Sequence, residues 1–202
     1  MRVKSRTEQS QETREALLAA ARELFAERGY AATSTEDVVQ RAGLTRGALY
    51  HQFRDKEDLF RAVYAEVERE FAEKITVHMR ERVVAGANAW DEVREGAQAF
   101  LDVALDADVQ RIALLDGPAV LGRAAAGGDV ARLGLDLIHR GLLRSMERGL
   151  IEPQPLEPLA RLLRAAITEA AMYIARSEDH ASARADAGGT IGRLIRGLRR
   201  ET

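Results

Sequence analysis

The amino-acid sequence predicts an all-α fold of about nine helices. Apolar residues recur at spacings of three and four along the chain, which is the period of a helix with one buried face. Alanine, leucine, arginine and glutamate, which favour helices, are abundant, whereas aromatic residues make up only 5% of the chain. No segment alternates apolar and polar residues convincingly, as a half-buried strand would.

The N-terminal region contains short helices with recognisable ends. A first helix is predicted over residues 13–28, with Gly29 as a left-handed C-cap. A second helix is predicted over residues 35–42, where Ser34 and Asp37 form a capping box of the acidic kind. The connection between the two helices therefore lies between Gly29 and Ser34.

Two further caps predict the next helices. Thr45 precedes a short third helix over residues 46–53, and Asp55 precedes a long fourth helix that reaches about His78. The segment from the second to the third helix is therefore two short helices joined by a tight turn.

The chain is predicted to form two domains. These are a helix-turn-helix domain over residues 1–56 and a larger helical domain over 57–202, with residues 56–78 as the connecting helix. Gly86 and Asn88 interrupt the helical pattern after it. The helices predicted beyond this break are 90–104, 109–115 (stopped by Gly117-Pro118), 130–148 (after Gly127-Gly128-Asp129, ended by Gly149), 157–177 and 183–200.

The composition excludes several classes of protein. Cysteine is absent from the 202 residues, so disulfides, a thiol nucleophile and thiolate metal ligands are ruled out. The N-terminus has no apolar stretch of the kind a signal peptide needs, and no run approaches the roughly 18 apolar residues that span a bilayer. We therefore expect a soluble cytoplasmic protein.

The sequence also argues against an enzyme. The four histidines are dispersed, and none has the spacing of a metal-binding pair. There is no glycine-rich phosphate loop and no nucleophile elbow. We expect no catalytic residue, no cofactor and no metal ion.

The stretch from Thr35 to Phe53 has the geometry of a helix-turn-helix. Gly43 stands where the chain reverses, and a positive φ costs glycine little. Arg46 lies in the first turn of the second helix, where a recognition helix contacts base edges. Because the helix dipole disfavours a cation at that end, the position of Arg46 is better explained by an approaching polyanion.

Overall charge does not support DNA binding by itself. The net charge is −2, and basic and acidic residues are equally numerous over residues 1–60. DNA binding would therefore depend on where the charges lie. From these observations a second interpretation stays open: a helical bundle that binds small molecules or proteins, with a hairpin whose Arg46 and His51 are merely solvated.

A set of positions from Thr13 to about Val67 bears on this choice: Phe25, Gly29, Thr33, Ala42-Gly43, Thr45, Gly47, Leu49-Tyr50, Phe53, Lys56-Glu57, Leu59 and Val63. With these residues the region resembles the DNA-binding domain of the TetR family of one-component transcription regulators. The remaining helices fit the all-α effector and dimer domain of that family in number. Val39 departs from the family, which usually has alanine there, and the bulkier side chain would slightly widen the spacing of the two helices.

The resemblance implies a homodimeric repressor that a small-molecule effector releases from a palindromic double-stranded operator. The positions implied to contact base edges are Thr45, Arg46 and Gly47. The positions implied to contact phosphates are Tyr50, His51 and Lys56, together with Thr33 and Ser34 at the neighbouring helix start.

The last two predicted helices carry apolar stripes. The stripes either face the chain's own core or form a four-helix interface with a second copy, and the resemblance implies dimerisation there. The candidate interface residues are Leu159, Leu163, Ile167, Ala170, Ile174, Ile191, Leu194, Ile195 and Leu198.

The resemblance further implies an effector pocket among the middle helices. The candidate residues are polar or aromatic side chains near the apolar stripes, namely Trp90, Gln98, Phe100, Asp102, Asp116, His139 and Tyr173. For His139 and Trp90 a place in the packed core is the alternative, since a single tryptophan usually anchors packing. These side chains indicate no particular ligand.

Overall fold

The structure is a computed structural model that describes residues 5–82, 88–122 and 128–199, except for the side chain of Arg82. Within these ranges it contains nine α-helices, one π-helix and no strand, so the all-α prediction is confirmed. The α-helices are α1 (Arg6–Ala32), α2 (Thr35–Ala42), α3 (Arg46–Gln52), α4 (Lys56–Arg82), α5 (Ala89–Val103), α6 (Gly117–Leu121), α7 (Asp129–Glu147), α8 (Leu156–Arg176) and α9 (His180–Gly197), and the π-helix is Val109–Asp116. Gly86, Gly127 and Arg200, which the sequence analysis used, lie outside the described residues.

Helix α1 begins earlier than predicted. The Ser5 hydroxyl accepts a hydrogen bond from the Glu8 N–H, and the Glu8 carboxylate accepts one from the Ser5 N–H, which is a complete capping box. At Gly29 the backbone leaves the helical region with a φ of 81°, and one more helical turn follows up to Ala32. Gly29 therefore kinks the end of α1 where a simple C-cap had been predicted.

The bounds of α2, the start of α3 and the start of α4 agree with the caps read from the sequence. The Ser34–Asp37 capping box is present, and the Thr45 hydroxyl accepts from the Ala48 N–H. The Asp55 carboxylate accepts from the Asp58 N–H at 2.8 Å, at the start of α4. Local side-chain caps thus specify where these helices begin.

The core of the N-terminal helices is closed by the first turns of α4. Phe25 of α1 meets Phe60 of α4 edge to face, with ring centroids 5.2 Å apart, and Tyr30 meets the same ring at 5.0 Å. Further along, α4 packs against α5 and α7. Because α4 contacts both parts of the chain, the division at residue 56 stays a prediction.

The segment from Val109 to Leu121 differs from the prediction. The helix predicted over 109–115 is a wider π-helix, and Gly117-Pro118 begins α6, where the sequence analysis expected a stop. Proline fits the first turn of a helix, because the N–H that it lacks would have no partner there. Gly117 is required by packing, since a Cβ would lie 2.4 Å from Cε2 of Tyr64.

Helices α5, α7, α8 and α9 pack around one another to form the body. Gly149 ends α7 with a φ of 68°, as predicted. Helix α9 begins three residues earlier than predicted, at His180, because the Asp179 carboxylate accepts from the Ser182 N–H and caps it.

Candidate DNA-binding surface and ligand cavity

The turn between α2 and α3 is closed by glycine and by a small shared core. Gly43 adopts a left-handed conformation, with φ 67° and ψ 29°. Val38 of α2 and Leu49 of α3 are both 0% exposed. The two short helices are therefore held in a fixed relative position, with the rest of α3 free to face outward.

Five of the predicted DNA-contacting residues are exposed at or on α3: Thr45, Arg46, Gly47, Tyr50 and His51. The Arg46 guanidinium donates to the Glu36 carboxylate at 2.9 Å, and both side chains are more than half exposed. Hydrogen bonds with Thr35 and with Arg46 lower the pKa of Tyr50. At Gly47 a Cβ would meet only the Thr45 hydroxyl, at 3.9 Å, so the helix surface is open there.

Thr33 is placed differently from the prediction. Its side chain is 1% exposed, and its hydroxyl donates to the carbonyls of Gly29 and Leu24 at 2.9 and 3.2 Å. The hydroxyl is thus turned inward to hold the end of α1, and a phosphate contact at Thr33 stays a prediction that this hydroxyl does not supply. Ser34 is exposed, and its hydroxyl is shared with the Asp37 backbone and carboxylate.

Lys56 holds the end of α1 from the start of α4. Its ammonium donates to the carbonyls of Tyr30 and Thr33 at 2.9 and 3.0 Å, and it lies 4.1 Å from the centroid of the Tyr30 ring. Two of its three N–H groups are used in this way. A phosphate contact by Lys56, which stays a prediction, would use the third.

Sequence reasoning missed the residues that brace α3. Gln52 donates to the Ser10 hydroxyl at 2.8 Å, and the Arg14 guanidinium lies 4.5 Å from the centroid of the Phe53 ring. The Glu36 partner of Arg46 was also missed. These contacts join residues far apart in the chain, and the only sequence signal for them was the capping box at Ser5, which extends α1 to reach α3.

A cavity of about 370 Å³ lies in the body between α4, α5, α7 and α8. Apolar side chains form most of its wall, among them Phe71, Ile75, Phe100, Ile138 and Ile167. Its volume is in the range of small-molecule binding sites.

Phe100 is the one of the seven predicted pocket residues that lines this cavity. Trp90 is 3% exposed in the core, His139 is half-buried elsewhere on α7, and Tyr173 is 53% exposed. The other three have polar partners: Gln98 donates to the Gly188 carbonyl, Asp102 accepts from Arg184, and Asp116 accepts from the Tyr30 N–H. For this cavity those six assignments are wrong, because hydrogen bonds and core packing direct the side chains away from it.

The cavity wall also carries charged groups. Glu68 of α4 is 7% exposed, its carboxylate accepts from the Val130 N–H at 3.1 Å, and burial raises its pKa. Glu92 pairs with Arg144, and Arg140 and Arg164 also line the wall.

Polar contacts connect the π-helix, next to the cavity, with the end of α1. Asp116 accepts from the Tyr30 N–H at 2.7 Å, and Arg111 lies against Gly29 so closely that a Cβ there would overlap its guanidinium. Nearby, Arg22 of α1 makes two hydrogen bonds to Glu70, at 2.7 and 2.8 Å, and pairs with Asp108. The Arg22 guanidinium lowers the pKa of Glu70.

The predicted dimer residues divide between two faces of α8 and α9. Five of them, Leu163, Ile167, Ile174, Ile191 and Ile195, are at most 6% exposed within one protomer. They therefore face its own core, which was the alternative for these stripes, and their place in an interface stays a prediction. Leu194 is 54% exposed, and Leu159, Ala170 and Leu198 are partly buried. Leu162, which belongs to the predicted apolar stripe of this helix but not to the candidate interface residues, is 70% exposed, and the exposed Tyr173 had been given to the pocket.

The described ranges, 5–82, 88–122 and 128–199, were compared with what a membrane span and a metal site need. No helix there is long and apolar enough to cross a membrane. No group of three or more histidine or carboxylate side chains there is arranged to hold a metal ion.

The arrangement of α1–α3 and the exposed face of α3 define a helix-turn-helix regulator. The family description "Bacterial regulatory proteins, tetR family" matches residues 17–63, and "Tetracyclin repressor-like, C-terminal domain" matches residues 90–198. A crystal structure of a TetR-family transcriptional regulator from Pectobacterium atrosepticum shares 35% identity, covers 98% of this chain and 99% of that one, and superposes with a TM-score of 0.78. The chain therefore belongs to the TetR family, whose members are transcriptional regulators, and the resemblance in its N-terminal sequence is confirmed.

Curated relatives match over a short part of the chain. The regulator AcrR from Shigella flexneri is 42% identical over 57 residues, which are 28% of this chain and 26% of that protein. The repressor BepR from Brucella suis is 46% identical over 52 residues, which are 26% of this chain and 25% of that protein. This chain thus matches about a quarter of the length of these relatives.

Proposed function

We propose that the chain is a sequence-specific DNA-binding repressor, acting in the cytoplasm as a homodimer on a palindromic operator and released by a small molecule. The observation that carries this proposal is the exposed surface of α3. Thr45, Arg46, Gly47, Tyr50 and His51 are presented together on a short helix whose position the buried Val38 and Leu49 hold fixed. Such a helix fits the major groove.

Arg46 supplies the base contact in this proposal. Its guanidinium can donate two parallel hydrogen bonds to the acceptors of guanine, and Gly47 next to it leaves room for close approach. The hydroxyls of Thr45 and Tyr50 and the His51 ring suit phosphate oxygens. Glu36, which holds Arg46 in the free protein, would have to release it when DNA binds.

The outer face of α8 and α9 supplies the dimer contact. Leu162, Tyr173 and Leu194 are large apolar side chains that are each more than half exposed, and a second copy would cover them in a two-fold interface. The two α3 helices would then bind half-sites with centres about 34–36 Å apart or a multiple of that spacing.

The π-helix supplies the connection between cavity and DNA-binding surface. Ala113 and Leu114 line the cavity, while Asp116 and Arg111 of the same element contact the end of α1. A ligand that shifts the π-helix would thus shift α1, and through Gln52–Ser10 it would shift α3. Release requires that the ligand bind the shifted form more tightly than the DNA-bound form.

DNA binding is tested by fluorescence anisotropy with the intergenic DNA beside the gene. We expect tight binding near 50 mM salt that weakens steeply by about 200 mM. Arg46→Ala should lose about ten- to a hundredfold in specific affinity and relax one base preference. The matched control is Arg69→Ala, which removes another exposed, ion-paired arginine from α4.

Two results would overturn the proposal. One is the absence of binding at low salt by a protein that sedimentation shows to be dimeric, which would favour a bundle without DNA binding. The other is an unchanged dimer after Leu162→Glu, which would remove α8 from the proposed interface.

A further inference from the structure

The charges around the cavity are distributed unequally. Glu68 lies at the end where α7 begins, since it accepts from the Val130 N–H. Arg144 lies 14 residues further along α7, which is roughly 20 Å of helix. Arg164 is in the early half of α8, which the short connection after Glu147 keeps beside the late half of α7. The far end of the cavity is therefore lined by Arg144 and Arg164, with Glu92 paired to Arg144.

Arg164 is a half-buried cation without a partner in the described part of the chain. It is one of the residues that line the cavity, and no carboxylate among residues 5–82, 88–122 and 128–199 pairs with it. Arg144, by contrast, is paired with Glu92, and Arg140 with Asp136. A partly buried, unpaired guanidinium favours an anionic partner that can accept two hydrogen bonds.

Gly134 shows that the apolar part of the wall has unused space. A Cβ at this position of α7 would meet nothing within 4 Å, although glycine inside a helix costs up to about 1 kcal/mol relative to alanine. At Gly141 of the same helix a Cβ would lie 2.3 Å from Cγ2 of Val93, so packing requires that glycine. No such requirement exists at Gly134, where the missing side chain adds to the cavity.

The volume limits the size of a ligand. A cavity of about 370 Å³ accommodates on the order of a dozen non-hydrogen atoms, if each takes about 30 Å³ as water does. Most of those atoms would contact apolar side chains such as Phe71, Phe100 and Ile138.

We propose that the cavity binds an amphipathic monocarboxylate of about this size, with its carboxylate on Arg164 and its apolar part between α4, α5 and α7. This inference rests on the proposed function, because the carboxylate would be the effector that releases the repressor from DNA. The binding itself is measured without DNA.

The test uses decanoate, 1-decylamine and 1-decanol as probes of the same chain length with anionic, cationic and neutral heads. Calorimetry on the full chain should show decanoate binding at least tenfold more tightly than either of the others. Equal affinities would overturn the proposal by showing that the arginines do not contribute. Tighter binding of the amine would overturn it by placing the head group at Glu68, and absence of decanoate binding would overturn it directly.

Two variants locate the site. Arg164→Gln should weaken decanoate binding at least tenfold and leave decanol binding unchanged, whereas Arg161→Gln, which removes an exposed arginine paired with Glu157 on the same helix, should change neither. Gly134→Leu should weaken binding of both decanoate and decanol by taking up part of the cavity, while its melting temperature stays at or above that of the wild type. Retained decanoate binding in both Arg164→Gln and Gly134→Leu would place the ligand elsewhere.

A parallel measurement separates this inference from the proposed function. Operator binding is assayed without any probe, and probe binding is assayed without DNA. A chain that binds DNA but not decanoate would contradict the ligand class alone. A chain that binds decanoate but no DNA would contradict the repressor alone.

Discussion

The helix-turn-helix carries its functional side chains outside a filled core, whereas the body carries them around a space that is not filled. Between α1, α3 and α4 the rings of Phe25 and Phe60 meet at 5.2 Å, and Arg46 and Tyr50 lie on the outside. Between α4, α5, α7 and α8 the side chain of Phe100 faces a cavity of about 370 Å³. The difference fits the two proposed ligands. A DNA groove is contacted by side chains on the outside of a helix, whereas a small molecule binds inside a cavity.

The largest expected difference concerns two phenylalanines. Phe25→Ala should cost about 3–5 kcal/mol, because the ring is completely buried and the site cannot collapse. Phe100→Ala should cost less, because that ring already borders empty space on one side. Urea unfolding of both variants measures the difference. Equal losses would mean that the body is packed as tightly as the helix-turn-helix.

Two glycines should respond to alanine with opposite signs. Gly29→Ala should destabilise by about 1–3 kcal/mol, because its φ of 81° and ψ of 168° strain any other residue and its Cβ would displace Arg111. Gly134→Ala should stabilise by about 0.5–1 kcal/mol, because its Cβ meets nothing and alanine favours helix. Urea midpoints at matched m-values decide this. A loss of stability in Gly134→Ala would contradict the open space beside Gly134 in the cavity wall.

Two carboxylates should give opposite pH dependences. Burial raises the pKa of Glu68, so the folded state holds its proton more tightly and stability falls as pH rises above about 4.5. Hydrogen bonds with Ser34 lower the pKa of Asp37, so its contribution is present above about 3.8 and is lost as pH falls further.

The measurement is urea unfolding at several pH values. Glu68→Gln should gain stability relative to the wild type as pH rises above about 4.5. Asp37→Asn should be less stable than the wild type above about pH 3.8, and this difference in stability should shrink as pH falls further. A Glu68→Gln variant whose stability runs parallel to the wild type above about pH 4.5 would show that the carboxyl is not desolvated.

The smallest expected effect on stability concerns Glu36. Its ion pair with Arg46 is more than half exposed, so Glu36→Gln should leave the unfolding midpoint unchanged within error. DNA affinity should nevertheless rise several-fold, because Arg46 is released and one negative charge is removed from the surface. Anisotropy on the same DNA measures this, with Glu73→Gln on α4 as the control. Unchanged affinity would mean that the pair does not compete with DNA.

The two regions also differ in what the sequence could predict. Helix starts at Ser34, Thr45 and Asp55 were predicted because each depends on a side chain and a backbone group a few residues apart. The turn at Gly43 was predicted for the same reason. The burial of the Thr33 hydroxyl was not predicted, because its inward direction depends on the kink at Gly29, which periodicity does not indicate.

In the body the sequence predicted the helices but not which way their faces point. The stripe of α8 that contains Leu163 and Ile167 is packed against the protomer's own core, whereas Leu162, one residue away, is exposed. Polar residues such as Asp102 and Gln98 were attributed to a pocket, but they bind Arg184 and Gly188 on a helix distant in sequence. Which charged side chain faces the cavity depends on how the helices pack against one another. No pattern of neighbouring residues in the sequence predicts that packing.

The open position at Gly134 has a consequence for how such a regulator could diversify. A Cβ there would meet nothing within 4 Å, so alanine and then larger apolar side chains would take up the cavity in steps, and each step would shorten the longest ligand that fits. No residue of α2 or α3 lines the cavity. The signal that the protein recognises could therefore be retuned by a single replacement while the genes under its control stay the same.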